Sequence, residues 1–587
     1  MQVAYKNKQL ERVLIAINIS SAVVVVGTFV LLFGLRERLL PAKLLFAAQY
    51  ILLFIFIAEK VIRLTNSVSL REFWRANWYE APLLLALGVA TVAAGGQTNT
   101  EAIRRFAVGI YLVLQVVVKV CRTTVDLAAS GKNPTRTLIA SFVVLILSGT
   151  GVLMLPKSAA AQRIGFVDAL FTATSAACVT GLTARDTGAD YSLMGQVTIL
   201  SLIQLGGLGI VIFGAVFALL LGQALSIRES AAMQDLLSEQ TLGRIGRMIA
   251  FVFAGTVLIE GLGTLSMLWM WDNVPGRIES IQQQWYCSIF HSISAFCNAG
   301  FGLFSDNLVS YSRCWPVYGV ICPLIILGGL GFGVLYDLTV IASGRVVLLC
   351  NRLLRGRTLF SRRMPRKMQL QTKIVLVVTT CLIVFGTLVI LLFERFTGSG
   401  KWDIGGAFFQ SVTARTAGFN TVQIGAMSAS SKFILILLMF IGGSPGGTAG
   451  GIKTITLAVI IMAAIATLKK RDEVHLFRRS VGPVIVRRAI TVTLLFIVVL
   501  FTAALALTIT EHGSGFTLMD VFFETASALG TVGLSTGITP SLTTAGKLII
   551  IVVMLIGRLG PLTLLAAVTF NLKSARYSYP QEPIIVG

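Results

Sequence analysis

Charge is what this 587-residue chain has least of: 13% of its residues are Asp, Glu, Lys or Arg, about half the share of a soluble domain. Acidic residues are the scarcer kind, 26 against 49 basic ones, which leaves a formal net charge of +23. Only three histidines occur, so no His/Cys/carboxylate cluster is available to hold a resident metal. The eight cysteines (positions 121, 178, 287, 297, 314, 322, 350 and 381) follow no CxxC or Cys/His spacing. Most lie inside apolar runs, where Cys acts as a small hydrophobe. No nucleophile–base pair stands out either, so an enzyme is not expected. What fills the chain instead is 55% hydrophobic residues, at a mean hydropathy of +0.83. Apolar stretches of twenty or more residues recur along its length. A soluble enzyme with one anchor and a disordered chain are both excluded; the reading is an all-α polytopic membrane protein.

The basic excess does not indicate nucleic acid, because it is concentrated in two loops. Nine Lys/Arg fall between Arg345 and Lys373, and seven between Lys469 and Arg488. Cytoplasmic loops retain positive charge in this way. Long apolar segments run over 12–35, 44–63, 80–95, 102–121, 136–155, 196–221, 247–271, 316–342, 370–393, 430–465, 489–510 and 546–571. They predict twelve spanning helices, with both termini in the cytoplasm. The first is followed by Arg36, Glu37 and Arg38 rather than a small-residue cleavage site, so it reads as a span and not as a leader.

Between the paired spans of the last eight lie four shorter segments of one type: 171–182, 290–301, 409–419 and 523–534. Each opens on Phe and closes on a glycine followed by Leu or Phe. The glycines Gly181, Gly300, Gly418 and Gly533 are 119, 118 and 115 residues apart, and the third copy is one residue shorter between its Phe and its Gly. Such a period is the signature of a repeated unit, here helix, short helix, glycine turn, helix. Gly206-Gly207, Gly328-Gly329, Gly442-Gly443 and Gly557 begin 24 to 28 positions further on. Any one pair reads as helix packing; four at matching depth argue for a shared role.

Non-helical backbone at membrane depth survives only where protein buries it or water lines it. Four short helices ending in glycine can converge on one axis. The carbonyls of Val179, Thr180, Gly181, Asn298, Ala299, Gly300, Thr416, Ala417, Gly418, Thr531, Val532 and Gly533 can then replace the water shell of a monovalent cation. Glycine reaches the φ values that turn carbonyls inward, and the helices direct their negative C-terminal ends at the ion.

These motifs, Cys178-Val-Thr-Gly-Leu-Thr183, Asn298-Ala-Gly-Phe301, Thr413-Ala-Arg-Thr-Ala-Gly-Phe-Asn-Thr421 and Gly530-Thr-Val-Gly-Leu-Ser-Thr536, resemble the Trk/Ktr/HKT superfamily of potassium transporters, in particular the bacterial Ktr membrane subunit, over roughly 135–587. The resemblance implies a single-file potassium pore with a filter built from these four strands. Members with serine at the first glycine favour sodium, and glycine at all four positions here points to potassium. It also implies a homodimer in the plasma membrane, seated on a cytosolic ring of nucleotide-binding regulatory subunits, so that nucleotide acts only through a partner. Potassium is the substrate, no cofactor is covalently bound, and sodium activation is left open. The 583–587 ending resembles family C-termini that reach the neighbouring protomer.

The stretch Ile441 to Thr454 holds six glycines and a proline: Gly442, Gly443, Ser444, Pro445, Gly446, Gly447, Thr448, Ala449, Gly450 and Gly451 precede Ile452 and Lys453. It cannot continue a regular helix, so the third closing helix is expected to break at membrane depth. By resemblance this is the Ktr intramembrane gate, and Arg558 is the family arginine that holds it, with carbonyls or hydroxyls of 442–449 as partners. A salt bridge with no gating role is the other reading of Arg558. Lys453 either pairs locally or reaches the interface, and Glu260 reads as a packing residue rather than an ion ligand.

Residues 1–125 stand outside the fourfold pattern. Phe56, Glu59 and Arg63, followed by Glu80, resemble the charge-transfer site of voltage-sensor domains. The fourth helix departs from that module: Arg104 and Arg105 are adjacent, without arginine at every third position. A voltage-sensor-like bundle with weak or lost sensing and a plain four-helix packing module both remain open. The expected division is 1–125, a linker at 126–135, and four pore units at 136–222, 223–345, 346–470 (with the gate) and 471–587. An alternating-access cation symporter is the rival mechanism. It calls for inverted repeats and a midplane ionisable site, whereas these repeats look parallel with glycine at the centre.

Overall fold

The computed structural model describes residues 6–37, 39–77, 84–85, 88–89, 101, 104–116, 134–209, 245–274, 277–278, 280–353, 367–397 and 403–561. Glu80 and the 583–587 ending lie outside the described residues, as do most of the 126–135 linker and the middle of the first basic loop. Among the described residues, five helices are long and apolar enough to cross a membrane: Gln9–Gly34, Ala42–Asn66, Gly246–Asn273, Leu370–Thr397 and Pro483–Thr510. A bent pair makes a sixth.

The fourfold pattern is built out of helices. Long opening helices (Pro134–Leu153, Ile245–Met267, Leu370–Thr397, Pro483–Thr510) alternate with short inner ones (Phe166–Ala177, Ile281–Phe296, Ile404–Thr413, Leu518–Gly530) and with closing helices beginning at Leu193, Cys322, Ala429 and Thr544. The inner helices are too short to span, and their last turns are buried, with Ile293 alone partly so. Phe171, Phe290, Phe409 and Phe523, which open the four motifs, are all completely enclosed. Two carboxylates hold the hairpins of the last two units. Glu394 accepts from Ser428 N at 3.0 Å and Glu511 from Thr543 N at 3.1 Å, so the end of each opening helix caps the start of its own closing helix.

The expectation of unbroken closing spans is corrected. The first stops at Gly209 (φ 83°), and the second, Cys322–Leu330, stops at Gly331 (φ 86°), with Phe332–Val347 leaving at 105°. The fourth stops at Gly560 (φ 83°). A positive φ ends a helix, and glycine alone adopts it without steric cost. All four closing helices therefore stop at corresponding positions, the first, second and fourth at a single glycine and the third at the 441–453 loop. A second addition is the two-residue hairpin Phe477-Arg478 (φ 48° and 62°), which pairs Val474–Leu476 with Arg479–Val481 inside the second basic loop.

The front of the chain packs as its own cluster around Val25, Leu52, Phe56, Val108, Tyr111 and Leu112. It meets the first unit through Arg36, whose guanidinium donates to the carbonyls of Pro156, Ala159, Ala160 and Ala161 at 3.1–3.2 Å. Lys157 N returns a bond to Gly34 O at 3.1 Å.

Candidate pore and its constriction

Each inner helix ends in the same short piece of backbone. Two residues before the glycine, a non-glycine residue takes positive φ: Val179 (56°), Asn298 (58°), Thr416 (73°) and Thr531 (51°). The glycines follow at 93°, 69°, 80° and 91°. Four identical departures from the allowed region at identical places cost about 1–3 kcal/mol each, and the buried inner-helix ends hold them. Thr180, Ala299, Ala417 and Val532 donate their N–H to Ser175, Ser294, Thr413 and Ser527 O at 2.8–2.9 Å. The third copy's missing residue is absorbed here, since Thr413 stands one place nearer its glycine than the three serines do. Thr413 Oγ1 still donates to Phe419 O at 2.6 Å, as Ser294 Oγ does to Phe301 O at 2.8 Å.

The four turns close a ring. A Cβ placed on Gly181 would strike Ala299 O, and one on Gly300 would come within 2.7 Å of Ala417 O. One on Gly418 would strike Val532 O, and one on Gly533 would strike Thr180 O. Each turn thus faces the carbonyl of the next, and the fourth faces the first. The glycines are required by this close approach as well as by their φ.

On the side of the ring away from the inner-helix N-termini sits the 442–451 loop. Ser444 N donates to Gly329 O at 2.9 Å, Thr448 N to Gly328 O at 3.3 Å and Phe332 N to Gly446 O at 3.0 Å. Thr448 Oγ1 reaches Phe296 O at 3.3 Å, at the very end of the second inner helix. A Cβ on Gly450 would meet Gly530 O at 3.0 Å, at the end of the fourth. A parallel bridge between Ile441 and Ile452 closes the loop's neck. Lys453 pairs locally, its Nζ 2.7 Å from Ala449 O and 3.4 Å from Gly450 O. Arg558 donates to Thr448 O and Gly206 O, and to Gly207 O at 3.3 Å. Among the described residues no carboxylate pairs with it, so it spans the loop and the first closing helix as a hydrogen-bond donor. Gly206, Gly328 and Gly557 explain their matching depth: a side chain on them would strike the carbonyls of Ala177, Phe296 and Leu529 at the inner-helix ends.

Sequence reasoning missed the polar side chains behind the ring. His291, Gln410 and Glu524 follow the motif phenylalanines and are fully buried. His291 Nδ1 lies 2.8 Å from Cys287 O, and Glu524 accepts from Thr539 Oγ1. Arg415 is buried too, 3.4 Å from Thr379 Oγ1. The signal was available, because the residue after each motif Phe is polar in all four copies. Glu260 accepts from Gln204 Nε2 at 3.2 Å and lies 3.9 Å from Cys297 Sγ, beside the inner helices rather than at the ring. At the front, Glu59 is buried and binds Arg63 Nε at 2.6 Å, while Arg63 also reaches Glu11 at 3.3 Å. Arg105 pairs with Glu101 on its own helix and lies over the Phe46 ring.

The model of the TrkH family, described as a cation transport protein, matches residues 102–579. The chain belongs to this family. It is an integral membrane protein of a transport family and not of an enzyme class. Ktr system potassium uptake protein B of Bacillus subtilis is 37% identical over 464 residues, covering 78% of this chain and 97% of that one. Potassium/sodium uptake protein NtpJ of Enterococcus hirae is 34% identical at the same coverage. The crystal structure of the potassium transporter TrkH from Vibrio parahaemolyticus shares the fold, with a TM-score of 0.57 at 18% identity, over 84% of this chain and 96% of that one.

Proposed function

We propose that the chain is the potassium-conducting membrane subunit of a Ktr-like uptake system in the plasma membrane. Its filter is formed by Val179-Thr180-Gly181, Asn298-Ala299-Gly300, Thr416-Ala417-Gly418 and Thr531-Val532-Gly533. The observation that carries the reading is the closed ring of four glycine turns, each in the same left-handed conformation. Main-chain oxygens arranged once per quarter can stand in for the hydration shell of a monovalent ion. The names of the relatives support potassium, and that of NtpJ lends support to a sodium effect.

The gate in this reading is 442–451. Its contacts with Gly328, Gly329 and the ends of two inner helices support a position across the axis below the ring, and the bonds of Arg558 to Thr448 O and Gly206 O support a role in fastening it to the first unit. Release of Thr448 from Arg558 and of Ser444 from Gly329 opens the path. The two basic loops face the cytoplasm, both termini lie there, and a nucleotide-binding ring contacts the loops from below, with the membrane subunit as a homodimer. The chain divides into the front module 1–125, a 126–135 linker and four pore units at 136–222, 223–345, 346–470 and 471–587.

The test is growth of a host lacking its own potassium uptake, at limiting potassium, with rubidium uptake read under sodium competition. Rescue together with loss of cation preference in Gly300→Ser is the expected result. No rescue by the wild-type chain, produced with any co-encoded soluble subunit, overturns the reading.

A further inference from the structure

The second unit carries a groove that permeation leaves without a role. The span Gly246–Asn273 ends at Trp269–Asn273, and the following bent pair begins at Val317, just after Trp315-Pro316. These two ends lie side by side at the face where the second inner helix starts. Between them opens a cavity of about 1050 Å³, lined by Ser266, Trp269, Asn273, Ser312, Arg313 and Trp315 among others.

Both indoles are exposed, Trp269 to 74% and Trp315 to 70%. The Trp315 ring is seated over Gly319, where any side chain would strike it. Exposed tryptophans at span ends are ordinary interfacial anchors. Arg313 is what an aromatic belt does not account for. It is exposed and makes neither a hydrogen bond nor an ion pair among the described residues. Asp306 pairs with Arg277 at 2.9 Å and accepts from Ser310 N, and Asp272 accepts from Gln284 at 2.5 Å, so neither is an ion-pair partner of Arg313. Asn273 spends its amide N–H on Met270 O at 2.8 Å, which leaves its oxygen to accept from a ligand hydroxyl. Below the groove, Leu262 and Leu265 of the same span are exposed.

We propose that this groove holds one anionic glycerophospholipid of the leaflet on the ring-mouth side. Its phosphate lies against Arg313, its head-group hydroxyls against Asn273 and Ser312, its glycerol between the two indoles and its acyl chains along Leu262 and Leu265. A free cation next to apolar surface at an interface selects an anionic head group, and the acceptor on Asn273 favours a hydroxylated head over choline.

The experiment is native mass spectrometry of the purified full-length chain offered equal amounts of phosphatidylglycerol and phosphatidylcholine. The wild type is expected to retain phosphatidylglycerol preferentially. Arg313→Gln lowers that preference about fivefold, as expected for the loss of one interfacial cation, and Arg313→Lys keeps it. The double variant Trp269→Leu with Trp315→Leu loses retention of both lipids, which gives a second readout should Arg313→Gln fold poorly. Equal retention of the two lipids by the wild type, or an unchanged preference in Arg313→Gln, overturns the proposal. So does full displacement of the lipid by soluble glycerol phosphate, which would make the groove a phosphate site.

Discussion

The four repeated units and the front module are built from similar apolar helices but are held together differently. In the repeated units the decisive contacts are main chain to main chain: glycine against carbonyl at the ring, and loop N–H against Gly328 and Gly329 O. In the front module they are side chain to side chain, Arg63 with Glu59 and Glu11, around a core of six buried residues. The uptake-protein relatives span 78% of this chain, while almost all of their own length is matched. Main-chain geometry tolerates no side chain at the contact points, whereas a side-chain network can be lost and leave the helices packed. The module is therefore expected to tune the pore units and not to form the path.

The largest effect tests the pore half of that contrast. Gly418→Ala must place its Cβ against Val532 O at a φ of 80°, a strain of about 1–3 kcal/mol that falls on the ring itself. Rubidium uptake should drop at least about tenfold while the protein still inserts; near-normal uptake would falsify the ring as the path. Next comes the constriction. Removing Pro445, Gly446 and Gly447 takes away the bond from Phe332 N and should raise resting flux several-fold, measured in liposomes; equal flux removes the gate assignment.

The front module gives smaller changes of a different kind. Glu59→Gln removes one of the two ion pairs of Arg63, a loss of about 1–2 kcal/mol confined to the module, so proteolysis of residues 1–77 should accelerate with potassium/sodium preference unchanged. Arg36→Ala gives up the four carbonyl contacts that dock the module and should loosen it by about 1–2 kcal/mol, seen as faster hydrogen exchange at 156–161. A change of ion preference in either variant would erase the distinction. The smallest effect is at the outer loop. Burial tends to raise the Asp306 carboxyl, but the hydrogen bonds from Arg277 and Ser310 hold it below the ordinary value. Its stabilisation is present above the ordinary carboxylate range and is lost as pH falls through the lowered folded value. Asp306→Asn should remove that acid-side step in a melting profile.

Much of the site could be read from spacing. The four glycines, the polar break at 442–451 and the isolated Arg558 each contradict their apolar surroundings, and such contradictions are legible without coordinates. The breaks at Gly209, Gly331 and Gly560 were not, because a single glycine after a Gly-Gly or Gly-Arg pair looks like packing until φ is known. The carboxylates Glu394 and Glu511 were missed for the opposite reason: at the end of a span they resemble interfacial charge, and only the fold places Ser428 and Thr543 against them.

Hydropathy and the near-118-residue period determined by themselves that this is a polytopic helical protein with four like units, because membrane depth forbids unsatisfied backbone and a repeat must bury each copy alike. Tertiary structure alone decided that the four turns face one another, and that Arg558 binds carbonyls of two units instead of a carboxylate. Those outcomes depend on distances of about 3 Å between residues 110 to 352 positions apart, which no local pattern of side chains encodes.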